Sequence, residues 1–537
     1  GGKTGAGEAY VVFGKSTGFT ASINLAMLDG SNGFLLNGID EGDSSGISVS
    51  SAGDVNGDGF DDLIIGARHG DPNGEVDAGE TYLMFGKSTG FAASIDLDSL
   101  NGSNGFLLEG IDADDWSGRS VSTAGDVNGD GFNDMIIGAA YADPDNRHAA
   151  GEAYVVYGKS SGFTPVLDLA GLNGTNGFLL KGIDASDWSG KSVSTAGDVN
   201  GDGFGDIIIG APYADPDSQI KAGESYVVFG KNTDFATSID LALLDGTNGF
   251  LLKGIDEGDW SGWSVSTAGD VNGDGFDDII IGAYGADPDG KGDAGEAYVV
   301  FGKKSSFVPV FDLSTLNGTN GFFLKGSAVG DWSGESVSTA GDINGDGLDD
   351  LIIGAYKADP NGHNAAGETY VVFGKSSGFM PEIDLSSLDK PNGFLLTGID
   401  ADDKSGRSVS TAGDVNGDGF DDVIISAPTA DPDGKGAAGE TYIVFGGNFT
   451  GGVETQVGDS SPNVLTANQG VGALDILIGG GGDDLLIGDG EPDVLRGGEG
   501  DDTLAVPWIN VQGLIGFQRL LGGNGIDTLR LDGSGQT

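Results

Sequence analysis

Asp54-Val55-Asn56-Gly57-Asp58-Gly59-Phe60-Asp61-Asp62 decides how this chain is read. The pattern D-x-N-G-D-G-x-x-D returns at Asp126, Asp198, Asp270, Asp342 and Asp414, each 72 residues after the last. Positions 1, 3, 5 and 9 always carry an oxygen side chain, and the apolar position 7 can offer only its backbone carbonyl. The candidate donor sets are Asp54, Asn56, Asp58, Phe60 and Asp62, then Asp126, Asn128, Asp130, Phe132 and Asp134. Next come Asp198, Asn200, Asp202, Phe204 and Asp206, and Asp270, Asn272, Asp274, Phe276 and Asp278. The last two are Asp342, Asn344, Asp346, Leu348 and Asp350, and Asp414, Asn416, Asp418, Phe420 and Asp422. Glycine at position 6 permits the bend that turns successive oxygens toward one centre. Hard oxygen donors, three of them anionic and none from His or Cys, specify Ca²⁺ over a transition metal.

An EF-hand fails on two counts. Its twelfth position requires a bidentate Glu, and here stand Ile65, Ile137, Ile209, Ile281, Ile353 and Ile425. The run that follows, Leu63-Ile64-Ile65-Gly66-Ala67, is a short β-type segment and not a helix. Acidic Asn-Gly turns are common singly, but six copies with unvarying donor positions point to calcium loops.

The composition agrees with a repeated β-structure. Of 537 residues 102 are glycine, too many for helical packing and without the three-residue period of collagen. The 38% apolar content, in short β-branched runs, suffices for a repeated core. No cysteine is present, which excludes disulfides and thiolate metal sites but not secretion. A formal charge of −58 argues against nucleic acid or an anionic membrane as partner, and no apolar run has the length of a membrane span. Eighteen of the 83 acidic residues are loop aspartates, so part of the repulsion waits on metal. Residues 1–8 are similar to the interior segment Gly290–Glu296, and no signal peptide is visible, so the chain reads as processed or incomplete.

Each 72-residue unit holds four short strand-like runs separated by Gly, Asn, Asp and Pro. In the second unit they are residues 106–111, 120–122, 135–139 and 153–158. Ile95–Leu100 is a short helical turn at most. Asn101-Gly102-Ser103 and its equivalents spell a glycosylation acceptor, but a tight turn explains them more simply. Four strands per repeat with a loop between the second and third predict an all-β propeller of four-stranded blades. The Tyr-Val-Val-Phe-Gly type of run occurs seven times and the other three types six times each. Seven blades with an incomplete first one is the favoured count, and six blades with a spare strand is the alternative.

Ser120–Gly131 and Ile209-Gly210-Ala211-Pro212 resemble the two halves of the FG-GAP repeat, known from integrin α-subunits and bacterial surface proteins. The resemblance covers residues 1–447, with Ser117-Gly118 where the family has Phe-Gly. It implies calcium in the six loops. Residues 448–462 read as a linker. Beyond it, Gly479–Ile487, Gly497–Ala505 and Gly522–Arg530 match the nonapeptide G-G-x-G-x-D-x-U-x, and Gly470–Ile478 and Gly488–Arg496 match it loosely. Residues 463–537 thus resemble the RTX calcium β-roll, a short parallel roll in which Asp484 and Asp502 share one side and Asp475 and Asp493 the other. Asp527 completes the candidate ligands there. The RTX resemblance implies extracellular or surface location and one-step (type I) export from a bacterium.

Trp116, Trp188, Trp260 and Trp332 share one repeat position, replaced in the outer units by Ser44 and Lys404. In the integrin repeats, aromatics here ring the upper channel mouth, which implies a docking face for a cation or a sugar; packing between blades is the plainer reading. Asp71, Asp143, Asp215, Asp287, Asp359 and Asp431, each before a Pro, are expected on the same face as an acidic rim. The three histidines, His69, His148 and His363, fall at unrelated points and no nucleophile motif appears, so the expectation is that this is not an enzyme. The sequence reads as an extracellular calcium-binding adhesive or structural protein that folds with calcium and self-assembles into matrix or filaments. Its expected partners are copies of itself and surface or matrix glycans or proteins. A monomeric binding module using the Trp face is the alternative.

Overall fold

The computed structural model describes residues 3–16, 18–447 and 449, and then 455–457, 464–466, 476–481, 483–487, 494–507, 519–524 and 528–532. It separates into two compact units, Gly1–Gly446 and Gly447–Thr537.

The first unit is an all-β propeller of seven sheets. Strand order within a blade follows the chain. In the third blade Ser120–Gly125 is innermost, then Asp134–Ala139, Glu152–Val156 and Gly177–Lys181, each antiparallel to the last. This corrects the expected blade boundary. Gly177–Lys181 and its equivalents open each 72-residue unit in sequence, yet they close the outer edge of the preceding blade. The segment between Val156 and Gly177 reaches out to the preceding blade through Val166–Asp168 and comes back to lie beside Glu152–Val156, and strand order is set by that pairing.

A fifth, three-residue strand joins most blades. Ser238–Asp240 lies parallel to Gly177–Lys181, and the next blade supplies it. It precedes a single 3₁₀ turn, Leu241–Leu243, whose N-terminal N–H is capped by Asp240. The short helical turn expected from the sequence is therefore present, and a strand was missed just before it.

The second strand of the third to sixth blades is buried throughout, which is why it reads as a continuous apolar run. The core lies between blades: Ile136, Val155 and Phe178 of the third meet Ile207, Ile209 and Tyr226 of the fourth.

The first and last sheets are each partial. The first holds Glu8–Val12 and Gly33–Asn37, the two outer strands of a blade, and the last holds Val409–Gly413, Asp422–Ala427 and Glu440–Val444, the three inner ones. The sequence count placed three missing strands in the first unit. With the boundary corrected, the described residues lack two inner strands of blade 1 and the outer strand of blade 7. Both partial sheets contain the same strand type, so they cannot merge into one blade, and the count is seven.

The ring nevertheless closes. The Lys159 N–H donates to the Val55 carbonyl of the preceding blade, as Lys231 does to Val127 and Lys303 to Val199. Lys15 of blade 1 donates in the same way to Val415 of blade 7, at 2.8 Å. Phe19 packs on Phe445 across that junction, with ring centroids 5.9 Å apart, as Phe163 packs on Phe85.

The second unit contains two four-stranded parallel sheets. Each sheet pairs its strands in steps: Ile476 lies opposite Val494 and Leu485 opposite Thr503, both 18 residues on, and Val494 in turn lies opposite Arg519.

Candidate metal loops and the channel mouth

The innermost strand of each blade has a repeat loop at one end and the Trp position at the other. These two ends are the candidate sites.

At the loop end, Asp54 folds its own loop. Its carboxylate accepts the N–H groups of Gly57, Asp58 and Gly59 at 2.7–3.0 Å. The same three bonds recur in all six copies, for example around Asp198. The ninth-position aspartate is wholly buried in every loop. Asp206 accepts from the Val199 N–H within the loop and from the Gly230 N–H at the end of the third strand. It therefore pins the loop to the sheet, a structural role that ligand counting did not anticipate.

Adjacent loops also interlock. Phe132 lies over Gly57 of the preceding loop so closely that a Cβ there would overlap its ring, and Gly57 has φ +73°. The same contact joins Phe204 to Gly129, Phe276 to Gly201, Leu348 to Gly273 and Phe420 to Gly345. The Asp198 N–H donates to Asp277 of the next loop at 2.7 Å, and the Asp342 N–H to Asp421 at 3.0 Å. Position 7, chosen for its carbonyl, thus also supplies the side chain that links the loops.

The loops suit a divalent cation electrostatically. Burial, with the other two aspartates of each loop adding to it, pushes Asp134, Asp206, Asp278 and Asp350 up to about 8. Asn344 is buried with its Oδ1 lacking a partner while its Nδ2 faces Asp350. Three mutually repelling carboxylates and an orphaned amide oxygen fit Ca²⁺. As placed, no three acidic or imidazole groups among the described residues converge tightly enough to be a ready-made metal centre. The first aspartate is occupied by its own loop N–H groups.

In the second unit Asp484 and Asp502 are buried, and the Asp484 N–H donates to the Asp502 carboxylate at 2.9 Å, linking residues 18 apart. Asp475, Asp493 and Asp527 lie outside the described residues.

At the other end, the four tryptophans form one arc. Each is half-buried with φ between 55° and 59°, a left-handed conformation costly for a bulky residue. Each Trp N–H reaches the Asp-Pro loop of the preceding blade, as Trp188 does to the Ala149 carbonyl. Tyrosines fill the spaces between them: Trp116 to Tyr141 at 4.4 Å, Tyr141 to Trp188 at 4.6 Å, Trp188 to Tyr213 at 4.1 Å. The line continues through Trp260, Tyr284, Trp332 and Tyr356. Sequence reasoning missed the tyrosines because Tyr141 and Tyr213 fill one repeat position and Tyr284 and Tyr356 the one before it. The signal was their place one or two residues after a Gly-Ala dipeptide.

The acidic rim is mostly tied down. Asp71, Asp143, Asp215, Asp287, Asp359 and Asp431 each accept a backbone N–H six residues on. Asp145, Asp217 and Asp289 pair with Lys181, Lys253 and Lys325. His69 faces Asp77 at 3.0 Å and stands edge-on to Trp116, and the His363 Nδ1 contacts the Ile399 carbonyl.

The FG-GAP repeat family matches at residues 45–84, 117–156, 189–228, 261–300, 333–372 and 405–444. Each match spans the three inner strands of one blade, with its loop. The first unit is an FG-GAP β-propeller. Integrin alpha-PS2 of Drosophila melanogaster is 28% identical over 246 residues, 45% of this chain and 16% of that protein. Phosphatidylinositol-glycan-specific phospholipase D of Dictyostelium discoideum is 28% identical over 375 residues, 66% of this chain and 36% of its own. The human protein of that name is 25% identical over 422 residues, 77% of this chain and 46% of its own. The chain thus spans less than half the length of these curated relatives. The phospholipases overturn the expectation that no enzyme is involved: proteins named for an enzymatic activity align along two-thirds or more of this chain. Scattered histidines and missing motifs were too weak a ground for that exclusion. Among the described residues no helix is long and apolar enough to cross a membrane, which says nothing of β-barrels.

Proposed function

We propose that this chain is a calcium-stabilised adhesive or protein-binding module acting outside the cell or at its surface. The interlocked ring of loops carries the reading. Each loop gathers three carboxylates whose repulsion a cation relieves, and each loop holds the next. Ca²⁺ would be held by the donors at positions 1, 3, 5 and 9 and the position-7 carbonyl. It supplies charge neutralisation, so its binding free energy becomes folding free energy. Extracellular modules bind at about 10⁻⁴–10⁻³ M, which ties folding to calcium-rich surroundings. In the second unit, Asp484 and Asp502 of an RTX-like roll would add sites of the same kind.

The aromatic arc is the docking face. Residues that can pack in a core stand half-exposed there, in a strained backbone conformation repeated four times. The inner edge of Glu8–Val12 has no neighbour among the described residues, and Tyr10 is 43% and Val49 58% exposed where Tyr82 is 1% and Val121 5%. That edge takes two further strands, from the same polypeptide or from a second copy, and the second case links subunits.

Light scattering during a calcium titration of chelator-treated protein, with circular dichroism in parallel, tests both parts. Folding that tracks calcium supports the module, and mass that climbs reversibly supports assembly. A fold indifferent to chelator sinks the first, and a monomer at saturating calcium sinks the second.

A further inference from the structure

One repeat position holds five different residue types in six blades. It directly precedes the innermost strand, where the blades meet around the channel, and holds Ile47, Arg119, Lys191, Trp263, Glu335 and Arg407. Against 83 acidic residues the chain has only 25 lysines and arginines, yet cations gather here. Arg68 and Arg119 both lie over Trp116, 5.1 and 5.6 Å from its ring centroid. Lys191 lies 3.8 Å from the Trp263 centroid, Lys357 3.0 Å from Trp332, and Arg407 4.6 Å from Tyr356.

One carboxylate answers them. Glu335 pairs with Arg407 and is buried, while Arg407 is 43% exposed. The Lys191 backbone N–H donates to the Trp188 carbonyl, while its ammonium makes no hydrogen bond or ion pair among the described residues and lies over Trp263. Burial pushes that ammonium down to about 7, the charges of Arg119, Arg407 and Arg68 add to that, and the carboxylate of Glu335 opposes it. Burial and Arg68 likewise lower Arg119. These cations repel one another across the channel. The Trp260 Nε1 donor is buried beside them without a partner.

We propose that the channel mouth binds a single carboxylate carried on a pyranose ring, the sugar acid of a glycan, with Arg119, Lys191 and Arg407 taking the carboxylate and the Trp–Tyr arc taking the ring. Guanidinium groups offer paired donors matched to a carboxylate, and an ammonium adds a point charge. The rings pack on one another at 4.1–4.6 Å into one continuous aromatic surface, on whose outer side the C–H face of a sugar can rest. The carboxylates of the Trp loops, such as Asp112 and Asp184, which act on Asp115 and Asp187, disfavour polyanions, so one charge is taken and a nucleic acid is refused. This rests on the aromatic arc being the docking face and is independent of the calcium loops at the other end of the strands.

Isothermal titration calorimetry on the full chain in saturating calcium, with D-glucuronate, D-glucose and N-acetyl-aspartate amide as probes, tests it. Glucuronate should bind about ten- to a hundredfold more tightly than glucose, the worth of one charge-assisted pair. Lys191→Met should erase that preference with the melting temperature unchanged, and Arg119→Gln serves as the second variant should the first prove unstable. A preference kept in both variants overturns the site, as does no binding of any probe. Tighter binding of N-acetyl-aspartate amide overturns the sugar and assigns the mouth to acidic side chains of a protein. Equal binding of glucose and glucuronate, both lost in Trp188→Ala, overturns the anion and leaves the docking face standing.

Discussion

The two ends of the innermost strands are built by opposite rules. At the loop end all six blades use the same aspartates in the same three-bond cradle. At the mouth one structural position holds an isoleucine, two arginines, a lysine, a tryptophan and a glutamate. Identical loops can interlock into a ring, because each makes the contact its neighbour expects. A ligand is asymmetric and needs different groups from different blades. Within one chain, repetition marks what stabilises the ring and variation marks what the ring presents.

The largest effect should come from calcium removal. At a hundredfold excess over its dissociation constant a ligand adds about 2.7 kcal/mol per site. Six coupled sites should therefore lower the melting temperature on chelation far more than any single substitution does. An unchanged calorimetric transition would break the assignment of stability to the loop end.

Next stands Asp206→Ala. It strands the Val199 and Gly230 N–H groups in a buried site and should cost about 3 kcal/mol in denaturant melts. Asp202→Ala, at an exposed position, should cost markedly less in chelator and resemble it only in calcium. Equal costs under both conditions would mean that the buried aspartate has no structural role apart from metal.

The Trp end should carry an acid-dependent term. Asp115, Asp187 and Asp259, each just before a tryptophan, are pushed up to about 7, first by burial and then by Glu152, Glu224 and Glu296 respectively. The folded state holds these protons more tightly than the unfolded chain. Their contribution is complete below the unfolded value near 3.8 and is lost as pH rises through about 7. The calcium-free melting temperature should thus fall from about pH 4 to about pH 8, with the loop aspartates acting in the same direction, and Asp187→Asn with Asp259→Asn should make the slope shallower. A slope unaltered by the pair would place the titration elsewhere.

The smallest stability effect belongs to Trp188→Ala. A half-buried ring packed on Tyr141 and Tyr213 contributes about 1–2 kcal/mol, while ligand binding at the mouth should be lost. A loss of several kcal/mol with binding intact would turn the arc into packing alone.

Much of this was legible in the chain. The 72-residue period, the loop motif and the four strand types gave the propeller and the loop donors, because turn chemistry is local. The blade boundary was not legible. Gly105–Glu109 reads the same whether it opens one blade or closes another, and only its pairing with Glu80–Met84 decides. The position-7 phenylalanines were read for a carbonyl when their rings hold the neighbouring loop, a contact 75 residues away in sequence.

By itself the sequence determined the repeat, the all-β class and the oxygen-rich loops, since each is written within a few consecutive residues. Only the tertiary structure decided the count of seven, through the Lys15 and Phe19 contacts that join the last blade to the first. It alone gathered Arg119, Lys191, Trp263, Glu335 and Arg407 at one mouth. Residues 72 apart meet when the ring closes, and electrostatic interaction between them depends on distance in space.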